Sequence, residues 1–500
     1  MRSIEPADKP SPWSPIHWDG EKETPYLRWR LARWKSRREG FHEATPPVAE
    51  RLLQQVWHHQ RLKRAELRDT QGSWVRVLHP GFWNQEAGPD FTGAIIQFGD
   101  SPARHGDVEI DLSNDGWRGH GHADNPAYAK VALHVVWRSR GEETTIPTLE
   151  LEPHLDAPLS ELEFWLGESA PAFPEALRGR CHAPLQRFSD EEVNSLLSQA
   201  ADARLRYKAT TLQAAARQGG WSQALWEGLF SALGYKQNTW PMRRLGELAA
   251  TLTRDIDHPS PEDRLQARLF GVAGLLPTEL PGRGTEAGSE VTRMWEAWWR
   301  EAASMDELIL PKGAWRWSNI RPANHPQRRL ALAAHWLARR DLPERLSRWL
   351  AASIIDKELS QSLEDILEPP TSHAWRHRFT LQSKPSEMGR KLLGADRLGD
   401  VAVNVILPWL WLRALAGRNG RLADTARHRY HAWPAAGGNA VHKLAVERLL
   451  GGRKPPVLKR AAGQQGLLQI TRDFCARSDS LCHRCEFPDL LAALPLGGTW

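Results

Sequence analysis

Five hundred residues are more than one hydrophobic core normally holds, so two or three domains are expected. Hydrophobic residues at 41% and charged residues at 25% are values of a folded chain and exclude wholesale disorder. The formal charge of +6, carried mostly by arginine, tilts slightly toward an anionic partner, although a solvated arginine-rich surface explains it better.

Residues 1–25 hold five prolines and little periodicity, and 1–44 is expected to be a disordered or basic tail. Within it, Tyr26 to Arg38 sets Leu27, Leu31 and Trp34 at helical spacing among arginines. Such a stretch can grip DNA or RNA by stacking and phosphate contacts, or dock weakly on its own protein. The N-terminus carries no signal-peptide core. No apolar run reaches the length that crosses a bilayer; the nearest, Val401 to Ala416, contains Asn404, Pro408 and Arg413. A cytoplasmic location without membrane attachment is therefore expected.

Residues 45–155 predict an α/β or α+β domain with a small mixed sheet. A helix is expected from Pro46 to about Gln60, with Thr45 as N-cap and Leu52, Leu53, Val56 and Trp57 as its apolar face. Strands follow at Trp74 to Leu78, Phe91 to Phe98, Asp107 to Leu112 and Val131 to Trp137, with another at Thr144 to Leu151. A linker spans 156–188, and 189–500 predicts a large all-α domain. Its first helix opens on a capping box at Ser189 to Glu192 and is expected to stop at Gly219 and Gly220. Further helices are expected at Pro261, Val291 to Ala303, Gln327 to Arg339, Pro343 to Ala352, Asp400 to Arg413 and Ala440 to Leu450. The 25 tryptophans, many of them in these helices, predict core packing rather than a ligand box.

The chemistry concentrates between Glu86 and His134. Asp90 opens one strand, and Glu109 and Asp111 share a face of the next because side chains two apart point the same way. Three converging carboxylates repel unless a cation sits between them, and hard oxygen ligands suit Mg²⁺ or Mn²⁺. His120 and His122 follow in a glycine-rich loop, where they either complete a metal shell and carry protons or brace the loop. His134, within a strand, reads as a satisfied core histidine.

The order of helix, three strands, helix and strand, with Pro89-Asp90 on the second strand and Glu109-Ile110-Asp111 on the third, is similar to the PD-(D/E)xK nuclease superfamily. That resemblance implies metal binding by Asp90 and Glu109. It also implies a lysine in the slot that Asp111 fills, so the needed cation would have to come from elsewhere, such as Arg104, Lys130 or His120. The longer string Gly88-Pro89-Asp90-Phe91, Gly106 to Ile110, His120-Gly121-His122 with Pro126-Ala127-Tyr128, and Leu133 to Trp137 resembles the bacterial domain of unknown function 2851. The likeness extends through Cys181, Arg321-Pro322-Ala323-Asn324 and the terminal cysteines. That family carries no established reaction to transfer, and in it the slot of Asp111 is commonly histidine.

Cys475, Cys482 and Cys485 are spaced C-x6-C-x2-C, which places two ligands on one knuckle. The spacing is similar to the iron–sulfur loop of endonuclease-three-type glycosylases, but the position of the fourth cysteine is Leu491. Cys181 is the remaining thiol, as in some RecB-like nucleases with an iron–sulfur staple, and Zn²⁺ or an iron–sulfur cluster would satisfy four thiolates. The sequence thus points to a metal-dependent nuclease or nuclease-derived protein. The alternatives are a nucleic-acid-binding scaffold that keeps the fold without catalysis, and a hydrolase with another substrate.

Overall fold

The computed structural model describes the chain apart from residues 1–23, 40–47, 85–87, 120–121, 123–124, 141–144, 160–161, 163–180, 236, 257–260, 278, 280–285, 318–319, 438–439, 476–484 and 496–500. An N-terminal mixed sheet is followed by a large helical region, as the sequence predicts. The chain forms two compact units. Among the described residues, one comprises 24–207, 440–458 and 462–495; the other comprises Lys208–Gly437 and Lys459–Ala461.

In the first unit, α1 (Pro25–Glu39) is a helix over the stretch whose spacing is helical in the sequence, and it docks on its own protein. The reason is Tyr26, 1% exposed, whose hydroxyl donates to Asp473 Oδ2 at 2.8 Å and whose amide donates to Gln199 Oε1 at 3.2 Å. Its ring packs edge-on against Phe474, and Trp29 packs on Phe487, so these aromatics are spent on the protein's own core. α2 (Glu50–His59) ends at Gln60 in a left-handed conformation and buries Leu53, Val56 and Trp57; Thr45 and Pro46 lie outside the described residues.

The sheet contains β1 (Val75–His79), β2 (Phe82–Trp83), β3 (Phe91–Phe98), β4 (Arg104–Asp111), β5 (Val131–Val136) and β6 (Thr148–Glu150), in the order β1-β3-β4-β5-β6 with β2 on β3. β1, β3 and β4 pair antiparallel, whereas β4, β5 and β6 pair parallel. The β4–β5 crossover, residues 112–130, is obligatory for parallel neighbours. β5 is an almost unbroken apolar run because a parallel strand is covered on both faces. Arg61 Nε donates to both oxygens of Asp156, at 3.0 and 2.8 Å, fastening the segment after α2 to the one after β6.

The capping box forms as expected: Ser189 N donates to Glu192 Oε2 and Glu192 N to Ser189 Oγ. The helix it opens ends at the glycine pair, as expected: Gly220 takes φ +85° and ψ 171°, a non-helical conformation that only glycine enters cheaply, and a second helix follows directly and runs to Leu233.

The second unit is helical, with elements close to those expected, including Pro261–Val272, Pro326–Ala338 and Leu342–Ala351. Trp298, Trp336 and Trp349 are core residues, while Trp299 is half exposed. The run Ala395–Ala416 is longer than its apolar stretch suggests, because helix extends N-terminally through a π-turn at Ala402–Ile406. It has the length to cross a membrane, yet most of its apolar window is buried in the structure, as in a core helix. Arg329 explains the Arg321 to Asn324 stretch: its Nη2 donates to Asn324 Oδ1 at 2.7 Å and to the Ala323 carbonyl at 2.8 Å.

Candidate metal centre

The antiparallel register of β3 and β4 matches Phe91 with Val108 and so sets Asp90 beside Glu109. The two are locked together: the Asp90 amide donates to Glu109 Oε2 at 3.0 Å, and Asp90 Oδ2 accepts from the Ile110 amide at 3.1 Å. Two residues on, Asp111 shares the face of Glu109 and is 2% exposed. His122 comes from the crossover, buried, with Nε2 at 3.2 Å from Glu109 Oε1. One ligand atom each from Glu109, Asp111 and His122 lies within 4.8 Å of the others.

Two further groups come from α2: Glu50, whose facing toward the acids the sequence leaves open, and Gln54, which the sequence reading missed. Gln54 Nε2 donates to Asp90 Oδ1 at 2.9 Å and to Glu50 Oε1 at 3.2 Å, bringing a fourth carboxylate to the rim. Their i, i+4 spacing puts Glu50 and Gln54 on one helical face, which is the signal that was available.

The aromatic surroundings fix the imidazoles. His122 stacks on Tyr128 with centroids 3.9 Å apart, and Trp117 lies 5.5 Å from both His122 and His134. His134 is fully buried, as a core histidine should be, but its partner is the site itself: Nε2 lies 2.9 Å from Asp111 Oδ2. His134 thereby orients Asp111, much as carboxylate–histidine pairs support metal ligands. His120 lies outside the described residues.

Burial, followed by the charge of Glu50, pushes the Asp90 carboxyl up to about 7, against the pull of its hydrogen bonds from Ile110 and Gln54. Burial, with the charge of Asp90 next, pushes Glu109 up to about 8. The Tyr128 phenol is raised by burial and by Glu109, Asp90 and Asp111, which places it in the same field. The strongest charges acting on the two acids are thus other acids. Arg104 does not supply the missing cation: it is exposed at the far end of β4, about 17 Å of extended strand from Glu109. The backbone of Lys130 sits beside Asp107, whose amide donates to its carbonyl, rather than beside Glu109.

The donor set fits a divalent cation. Carboxylate oxygens with one imidazole suit Mn²⁺ or Mg²⁺, and a positive ion would relieve the repulsion that now holds protons on Asp90 and Glu109. Gly116 protects this geometry, since a Cβ there would come within 2.4 Å of Asp111 Oδ1. Gly116→Ala is expected to displace the Asp111 carboxylate, destabilise the fold by about 1–3 kcal/mol and abolish any thermal stabilisation by Mn²⁺. Melting curves with and without the ion check this.

Of the four cysteines, Cys181, Cys475 and Cys485 lie in or against one apolar cluster that also holds Tyr26, Phe474 and Phe487. Cys482 lies outside the described residues. Cys181, Cys475 and Cys485 thus share one core, but among the described residues their sulfurs do not form a group within 4.8 Å of one another.

Residues 50–436 match the family described as protein of unknown function (DUF2851). No curated protein and no solved structure matches the chain. The match covers well over half of the 500 residues, and the chain belongs to this family.

Proposed function

We propose that the acidic centre is that of a metal-dependent phosphodiesterase of the PD-(D/E)xK kind, acting on DNA or RNA. The observation that carries this reading is the convergence of Asp90, Glu109, Asp111 and His122 at the ends of β3 and β4 beneath the crossover. Asp90, Glu109 and Asp111 would hold Mg²⁺ or Mn²⁺, with His122 beside them. Such an ion, when bound, polarises a phosphate and makes hydroxide available near neutral pH. Glu50 and Gln54 orient Asp90, and His134 orients Asp111. His122, aligned by its stack on Tyr128, stands where a proton would be given or taken at Nε2. Asp111 in the lysine slot leaves the positive charge at this centre to the ion. For the cysteines, we propose a thiolate set for Zn²⁺ or an iron–sulfur cluster, on the ground that Cys181 shares its core with Cys475 and Cys485.

Incubation of the full chain with single- and double-stranded DNA and RNA and Mn²⁺ tests the proposal. Cleavage is expected from the wild type and should fall about a hundredfold or more in Asp90→Asn and in Glu109→Gln. Absence of cleavage, or cleavage that both variants retain, overturns it. Salt-sensitive binding without turnover would instead favour the scaffold, a reading that Asp111 in the lysine slot already supports.

A further inference from the structure

The helical unit carries a second constellation, made of residues far apart in the chain. Glu262 sits in the first turn of the helix Pro261–Val272, His335 lies near the C-terminal end of Pro326–Ala338, and His373 immediately precedes the short turn Ala374–Arg376. The two helices pack side by side, which brings the imidazoles to opposite oxygens of one carboxylate. His335 Nδ1 is 2.9 Å from Glu262 Oε2, and His373 Nε2 is 2.5 Å from Glu262 Oε1. One donor atom from each of the three lies within 4.8 Å of the others.

We propose that Glu262, His335 and His373 bind a divalent first-row transition metal such as Zn²⁺, at a site built from residues that the acidic centre does not use.

Four observations support this. First, two imidazoles and one carboxylate form a borderline-soft donor set that favours zinc-like ions over Mg²⁺. Second, ligand atoms on one tetrahedral zinc stand about 3.3 Å apart, and with one atom of each residue already within 4.8 Å of the others the donors reach that arrangement by side-chain adjustments of no more than about 1.5 Å. Third, the donors are held by neighbours: Gln266 Oε1 accepts from Trp375 Nε1 at 3.0 Å, while Gln266 Nε2 lies 3.4 Å from Glu262 Oε1. Fourth, the site combines a protected interior with access, because the His335 side chain is 6% exposed and that of Glu262 is 27% exposed.

The cost of loading can be traced atom by atom. While the carboxylate accepts from both rings, the protons are on His335 Nδ1 and His373 Nε2. Binding an ion there moves each proton to the other ring nitrogen. His335 Nε2 is buried and has no hydrogen-bond partner among the described residues, so it loses none of these by the move. His373 Nδ1 gives up only the contact from the Trp375 amide, which is long at 3.3 Å.

Co²⁺ serves as the probe, on the full chain in an Asp90→Asn/Glu109→Gln background that disables the acidic centre. Beyond any Co²⁺ taken by the cysteines, which would show as intense thiolate charge-transfer absorption, one equivalent should bind with the weak visible bands of nitrogen–oxygen coordination. Proton NMR of the cobalt protein should show two paramagnetically shifted, exchangeable imidazole N–H signals. Adding His373→Gln should remove the visible bands and both N–H signals. No such bands in the background protein, or bands unchanged by His373→Gln, would overturn the proposal. If His373→Gln does not fold, the count of shifted N–H signals in the background protein decides: two support the site, none overturns it.

Discussion

Glu109→Gln should make the metal-free protein more stable at pH 8, although it removes a residue of the proposed active centre. Asp90 and Glu109 titrate near 7 and 8 in the folded chain, whereas they would ionise near 4 when unfolded. Between pH 5 and 8 the folded state therefore holds protons that the unfolded chain releases, and stability falls as pH rises through that window. The penalty scales at ~1.4 kcal/mol per tenfold displacement of each proton equilibrium. The neutral amide removes one buried charge, and its oxygen can still accept from the Asp90 amide. Thermal unfolding of metal-free wild type should thus weaken from pH 5 to pH 8, and Glu109→Gln should flatten that decline. Mn²⁺ should raise the wild-type midpoint more at pH 8 than at pH 6, and should lose that effect in the variant. A wild-type midpoint that climbs from pH 5 to 8 without metal would contradict the raised pKa of both acids.

Arg328→Leu should be among the most damaging substitutions in the helical unit. Arg328 is 1% exposed, and its guanidinium donates to the carbonyls of Trp375, Arg378, Arg390 and Lys391 at 2.6–3.0 Å. These bonds pin the irregular segment 375–391 to the helix Pro326–Ala338. Leucine would leave four acceptors buried or force the segment open, at a cost on the order of 3–5 kcal/mol. Hydrogen exchange should accelerate across 375–391 first, with the midpoint of urea unfolding shifting downward. Because Trp375 braces the loop that carries His373, Co²⁺ binding by Glu262, His335 and His373 should weaken as well.

The strands were legible because each shows alternation or a β-branched apolar run bounded by turn residues; β2, two residues long, leaves no period to read. Asp90, Glu109 and Asp111 were legible for the same reason, since strand geometry alone puts Glu109 and Asp111 on one face. Glu50 and Gln54 were not, because a helix pattern reveals its buried stripe without saying which polar residue beside that stripe meets the sheet. Glu262, His335 and His373 left no local signature at all: helix packing unites them across separations of 73 and 111 residues. Gly219 and Gly220 were legible as a helix stop because a glycine can take the left-handed backbone found at Gly220; what the pair does not announce is that a second helix begins at once. The helical spacing from Tyr26 to Arg38 was legible too, but only the buried partners of Tyr26, Asp473 and Gln199, show what holds this basic segment to its own protein.

The mixed topology also bears on the order in which the acidic centre can be assembled. Asp90 and Glu109 are brought together by β3 and β4, neighbours joined by a short turn, so their pairing needs little loop closure. His134 reaches the centre only when β5 pairs parallel to β4 across the crossover, a contact of higher sequence separation and slower expected formation. The topology thus predicts that Asp90 and Glu109 come together before His134, which orients Asp111, is in place. On that order protons or a captured cation would carry the repulsion in the interval, and refolding is expected to be sensitive to acidity and to divalent ions.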